Sequence, residues 1–108
     1  MTPVTIEDFK KCDLRVAKVL QAEEIVGADR IWKLLIDTGA EKKQIVAGVK
    51  KYYTSEQLVG KSVIVLNNLI PSVIRGVESA GMLMAAKHEA GLTLITVDSD
   101  VPAGSVIG

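Results

Sequence analysis

Cysteine and histidine each occur once in this chain of 108 residues, as Cys12 and His88, and the only aromatic rings are Phe9, Trp32, Tyr52 and Tyr53. A lone cysteine excludes an intramolecular disulfide, and it is expected to pack in the interior. One histidine and one cysteine form no zinc-type ligand cluster and place no imidazole near a nucleophile. Ser79-Ala80-Gly81 is not a nucleophile elbow, and no glycine-rich phosphate loop followed by Lys-Ser or Lys-Thr is present. Neither catalysis, nor a metal, nor a cofactor is therefore expected. No apolar run approaches the roughly 18 residues of a membrane span, and the start MTPVTIEDFKK lacks the basic and apolar regions of an export signal. A soluble cytoplasmic protein that does not enter the membrane is the expectation. The 13 basic and 13 acidic residues cancel, so whole-chain charge does not advertise nucleic-acid binding, and an anionic partner has to be met by a local patch.

A hydrophobic content of 48% suits one closed core, and the interspersed charges and absence of linkers make residues 1–108 a single domain. Thr5 with Asp8 is a variant capping box, which predicts a short helix over 6–11 with Ile6 and Phe9 on one face, too short to persist without a sheet to cover. LRVAKVLQAEEI and RIWKLLIDTG read as the first two strands and KQIVAGVK as the third. Thr54-Ser55-Glu56-Gln57 is a second capping signature, for a helical turn ending near Gly60. KSVIVLNNL, GMLMAAKH and LTLITV supply further strands. Many short strands with little helix favour an all-β fold, a small barrel that closes its own edges. A helical turn between strands three and four is the five-stranded Greek-key arrangement of oligonucleotide/oligosaccharide-binding (OB) barrels.

Residues 67–85 are the densest irregular stretch, with paired amides, Pro71, Gly76, Gly81 and a Ser79-x-x-Met82 step crowded into an apolar region. Ser79 can reach a phosphate or 2′-hydroxyl and Met82 can offer a polarizable face to a sugar or base, although core filling suits Met82 as well and Met84 better. Asn67 and Asn68 carry donors and acceptors for a ligand or for their own turn. The cations fall as Lys10/Lys11, Lys42/Lys43 and Lys50/Lys51, with singles at Lys33, Lys61, Arg75 and Lys87. The turn expected at Lys42 and Lys43 and the irregular stretch around Arg75 are expected to converge on one barrel face. The bland alternative is ordinary solubilising lysines. Phe9 and Trp32 are expected in core roles, which leaves Tyr52 and Tyr53 beside Lys50/Lys51 as the one stacking edge, so recognition by shape is favoured over base-by-base reading.

Phe9 with Asp13-Leu14-Arg15-Val16, Ala28-Asp29-Arg30, Ile36-Asp37-Thr38-Gly39, Ile45-Val46-Ala47-Gly48, Asn68-Leu69, Arg75-Gly76 and Ser79-Ala80-Gly81-Met82 together resemble the tRNA-binding OB domain. That family occurs at the C-terminus of bacterial methionyl-tRNA synthetases and as free-standing structure-specific tRNA-binding proteins. The resemblance runs nearly end to end. It implies a non-catalytic homodimer, joined through the N-terminal helix and C-terminal tail, that binds the outer corner of folded tRNA, and it leaves open whether such a subunit assists methionyl-tRNA synthetase in trans, joins another assembly or serves RNA more generally. It places Ser79 and Met82 at contact positions, with Asn68 and Arg75 in the adjoining loop; Lys33, Lys42 and Lys43 join them as candidate RNA contacts on the pattern of cations alone. The chain departs from the family in having Ala80 where an acidic residue is usual and Trp32 where tyrosine is common. A related branch, the dimeric peptide-binding export chaperones, has the same barrel and is the alternative that the resemblance leaves open.

Overall fold

Alternation in the segment Trp32–Asp37 buries Trp32, Leu34 and Ile36 and turns Lys33, Leu35 and Asp37 outward, so this run has to lie in a sheet with one face on a core. The computed structural model describes residues 1–108. Its elements are α1 (Ile6–Lys10), β1 (Leu14–Glu24), β2 (Trp32–Asp37), β3 (Lys42–Ala47), α2 (Ser55–Leu58), β4 (Ser62–Leu66), β5 (Ser72–Ile74), β6 (Val77–Ser79), β7 (Met82–Leu83), β8 (Ala85–His88) and β9 (Gly91–Leu94).

One antiparallel sheet runs β3-β2-β1-β4-β7. Two hairpins supply β1 to β3, and β4 returns by the long connection through α2 to lie beside β1, which is the Greek-key path. The sheet curls into a half-barrel of the OB type. Curling depends on β1, whose first part pairs with β4 and whose second part pairs with β2, with a register irregularity between Val19 and Gln21 that bends the strand. The edge of β1 that β2 leaves free is taken by the C-terminal tail. Val16 N–H donates to the Ser105 carbonyl at 2.9 Å and Ile107 N–H to the Leu14 carbonyl at 2.9 Å. Gly104 fits that docking because an added Cβ would sit 2.8 Å from the Thr38 carbonyl oxygen.

Leu34, Ile36, Ile45, Leu58, Val63 and Val65 are fully buried inside the curl. Each such side chain contributes about 1.5–3 kcal/mol of burial free energy. The expected helical turn is present between β3 and β4. Thr54 and Gln57 form the full reciprocal cap, with Gln57 N–H on Thr54 Oγ1 at 3.2 Å and Thr54 N–H on Gln57 Oε1 at 2.8 Å, and this presents Leu58 to the core.

Four expectations are corrected. α1 forms with the expected Thr5 cap but covers no sheet; it buries none of its residues, and Phe9 is 38% exposed. It projects from the barrel, tethered where Asn68 Nδ2 donates to the Lys11 carbonyl at 2.7 Å. Cys12, just beyond it, is exposed rather than packed. Residues 81–88 are not one strand, because at Met84 the chain changes partners: its N–H donates to Ile64 of β4, while its carbonyl accepts from Ile95, just past β9. Residues 72–79, read as irregular, fold into the β5–β6 hairpin.

Candidate nucleic-acid interface

The β5–β6 hairpin turns at Arg75 and Gly76, both with positive φ, 53° and 77°. That is the two-residue turn whose twist matches paired strands, and the non-glycine at its first position carries a backbone cost. The hairpin lies over β3. Gln44 Nε2 donates to the Glu78 carbonyl at 3.0 Å, and Ala80 N–H donates to the Gln44 carbonyl at 3.0 Å. Val46 packs with Ile25, Ala28, Ile31 and Val77 beneath it. The tip of the hairpin therefore sits beside the β1–β2 loop, where Arg75 and Arg30 line one cleft of about 280 Å³ with Asp29.

Ser79 is 4% exposed. Its hydroxyl oxygen accepts the Val46 N–H at 2.9 Å and its O–H donates to the Gly81 carbonyl at 3.1 Å, so both roles of the hydroxyl are filled within the chain. Gly81 follows where the backbone passes between β3 and β4; a Cβ there would meet Val65 Cγ1 at 3.2 Å and Ile45 Cγ2 at 3.4 Å. This pinned turn delivers Met82 to the surface, 44% exposed, at the edge of an apolar groove of about 300 Å³.

The predicted cations divide. Lys43 is the second residue of β3, not of a turn, and its Nζ donates at 2.8 Å to both the carbonyl and Oδ1 of Asn67. Lys33, on the outer face of β2, pairs with Glu23 at 3.2 Å. Lys42 and Arg75 have no ion-pair partner and are exposed, as are Arg30 and Lys87. Lys42 opens β3 at one end while the Arg75 tip stands by the other, so these two cations are spread along the strand rather than gathered at one spot. Arg30 is a further exposed cation near the hairpin tip, and Lys10 and Lys51 are likewise exposed and without an ion-pair partner. The signal for Arg30 was present in Ala28-Asp29-Arg30, but only the fold brings it beside Arg75.

Asn68 and its neighbours form a polar knot. Asn68 Oδ1 accepts the Asp13 N–H at 2.9 Å, and Asn67 Nδ2 donates to Asp13 Oδ2 at 3.0 Å. Arg15 Nε donates to Asp13 Oδ1 at 2.6 Å and its other arm reaches the Gly104 carbonyl at 3.1 Å. The Asn67 hydrogen bond, and then Arg15, hold the Asp13 carboxyl below its ordinary pKa. Tyr52 and Tyr53 do not act as a pair: Tyr53 Oη accepts the Leu94 N–H at 2.9 Å, whereas Tyr52 lies beside Gly91 and stays 43% exposed. No group of three or more His, Cys, Asp or Glu is placed to hold a metal ion, and no helix is long and apolar enough to cross a membrane.

The fold is shared with known proteins. The chain is 48% identical over 104 residues to methionine–tRNA ligase of Caldanaerobacter subterraneus subsp. tengcongensis, covering 96% of this chain and 16% of that one. The whole chain superposes on the whole of the MetRS-related protein from Pyrococcus horikoshii with a TM-score of 0.93 and 37% identity. Chaperone CsaA from Bacillus anthracis is also similar, with a TM-score of 0.89 and 28% identity over 99% of this chain and 100% of that one. On the family match to residues 14–106, the chain belongs to the "Putative tRNA binding domain" family.

Proposed function

We propose that this chain binds folded tRNA at its outer corner, by shape and backbone contacts and without chemistry of its own, as a cytoplasmic homodimer that assists methionyl-tRNA synthetase in trans. The observation that carries this reading is the family membership of residues 14–106. Met82, Arg75, Arg30 and Lys42 supply the exposed contacts, with Lys33 on the flanking sheet face. Ser79, Lys43 and Asn68, whose polar groups are already engaged, hold those contacts in place. A shape-reading surface needs few aromatic rings, in keeping with a Tyr53 whose hydroxyl is tied into the fold.

Dimer formation is supported by α1, which exposes Ile6 at 59% and Phe9 at 38%, and by Val4 and Val106, at 75% and 66%. Two barrels related by a two-fold axis present two RNA surfaces and raise the local concentration of substrate for a synthetase. Titration of the protein with folded tRNA at low and moderate salt, with duplex DNA as competitor, tests the reading. Saturable binding that weakens with salt and survives DNA is the expected result; absence of tRNA binding at low salt rejects it.

The second reading is a dimeric peptide-binding export chaperone. It is favoured by zero net charge and by the apolar groove at Met82, together with the likeness to chaperone CsaA. Suppression of aggregation of an unfolded client, without tRNA binding, would establish it instead.

A further inference from the structure

The wall of the barrel is incomplete on one side. β3 and β7 are the two edges of the curled sheet, and they approach one another. Ser79 and Ala80 bridge to β3 only as far as Val46. Past that point the edges part, and the groove of about 300 Å³ opens between residues 46–49 and 82–85. Its lining includes Val49, Leu92, Met82 and Met84, and Lys87 stands among them with no acidic partner.

Backbone groups face this seam as well. Val46 points its N–H at Ser79, away from β2, and its carbonyl shares that side of the strand. The N–H of Gly48 makes no hydrogen bond within the chain. Across the seam, Met84 directs its N–H to β4, so the N–H and carbonyl of the preceding Leu83 face the opposite way. The seam thus offers apolar, polarizable walls, a donor and an acceptor side by side, and one ammonium.

We propose that the open seam between β3 and β7 receives a single nucleobase, unstacked from a loop of the bound RNA, with a phosphate of that nucleotide on Lys87. The base faces meet Met82 and Met84, and the base edge meets the Val46 carbonyl and the Gly48 N–H. This inference rests on the tRNA-binding reading and specifies one of its contacts. A peptide strand is the poorer fit. Strand addition draws its affinity from a run of main-chain hydrogen bonds, whereas this edge leaves one donor–acceptor step open before Lys50 turns its N–H back to Arg30. A cation in the lining also favours an anionic ligand.

The test pairs a groove-filling variant with base deletion. Gly48 lines the groove and an added Cβ there meets nothing within 4 Å, so Gly48→Leu is the variant chosen to fill it. Ala85→Leu fills it from the opposite wall, and thermal melting checks both proteins. Each is titrated with a folded tRNA transcript and with copies carrying an abasic nucleotide at one unpaired loop position at a time. For wild type, one abasic position is expected to weaken binding about tenfold. Gly48→Leu should bind the intact transcript about tenfold more weakly, with no further loss at that abasic position, and Lys87→Ala should lower the salt slope by about one. The proposal is overturned if both filled variants bind like wild type, if no abasic position matters, or if filling abolishes suppression of client aggregation while leaving tRNA affinity intact. A wild-type protein that does not bind the intact transcript overturns the tRNA reading, and this contact with it. Wild-type binding with indifferent filled variants overturns the seam contact alone.

Discussion

The buried hydroxyl of Ser79 accepts the Val46 amide proton at 2.9 Å and in doing so fastens the β6–β7 turn to the edge of β3. Ser79→Ala leaves that amide without a partner in a buried setting and frees the Gly81 carbonyl, so it should cost about 1–3 kcal/mol of stability. Met82→Ala, at an exposed site downstream, should change stability by less than about 1 kcal/mol while lowering tRNA affinity several-fold. Denaturant midpoints and binding isotherms for the two variants separate the anchor from the contact. Equal stability losses, or an unchanged affinity for Met82→Ala, would sink this division of labour.

The contrast between these neighbours shows where the sequence was legible. β1 to β4 and both caps follow from alternation and Thr-x-x-Gln or Thr-x-x-Asp spacing, because those signals are local and the core enforces them. The β5–β6 hairpin was missed because its turn is Arg75-Gly76, without the Asn-Gly or Asp-Gly that marks such turns. The break at Met84 depends on which strand lies on each side, and no local pattern carries that. Ser79 and Met82 were singled out together, but their opposite exposures arise from Gly81 threading between β3 and β4. Likewise Lys42 and Lys43 are equivalent as a doublet, and only strand alternation sends one outward and the other to Asn67.

Lys42 and Lys43 should accordingly behave differently when neutralised. Lys42→Ala and Arg75→Ala each remove an exposed, unpaired cation, and each is expected to reduce the dependence of tRNA affinity on salt by about one ion with little effect on melting. Lys43→Ala removes both 2.8 Å bonds to Asn67 and should destabilise by about 1–3 kcal/mol. A salt slope that falls for Lys43→Ala but for neither of the others would reverse the assignment.

Asp13 gives the fold an acid-sensitive joint. Its folded pKa is lowered by Asn67 and Arg15 from an ordinary value of 3.8. A carboxyl depressed on folding contributes stability that is fully present above its unfolded pKa and is lost as pH falls through the folded one. Asp13→Asn should therefore be less stable than wild type near about pH 7, by about 1–2 kcal/mol, with the gap closing as wild type is acidified below the unfolded value. Urea midpoints of the pair across the acid range provide the measurement. A gap that stays constant with pH would mean that the Asp13 charge contributes nothing.

The N-terminal helix poses the remaining physical question, because five residues that bury nothing lie far below the length at which an isolated helix persists in water. Its Thr5 cap and the tether from Asn68 to Lys11 fix its two ends, yet neither covers Ile6 or Phe9. In the proposed homodimer, a second copy of the same surface would supply the missing apolar contact by two-fold symmetry. Sedimentation should then report twice the 11.6 kDa chain mass. Phe9→Lys should return the monomer with its barrel intact, because that helix buries none of its residues, and should weaken tRNA binding through lost avidity rather than lost contacts. A wild-type protein that sediments as a monomer at micromolar concentration, or a Phe9→Lys variant that remains dimeric, would move the subunit contact away from α1.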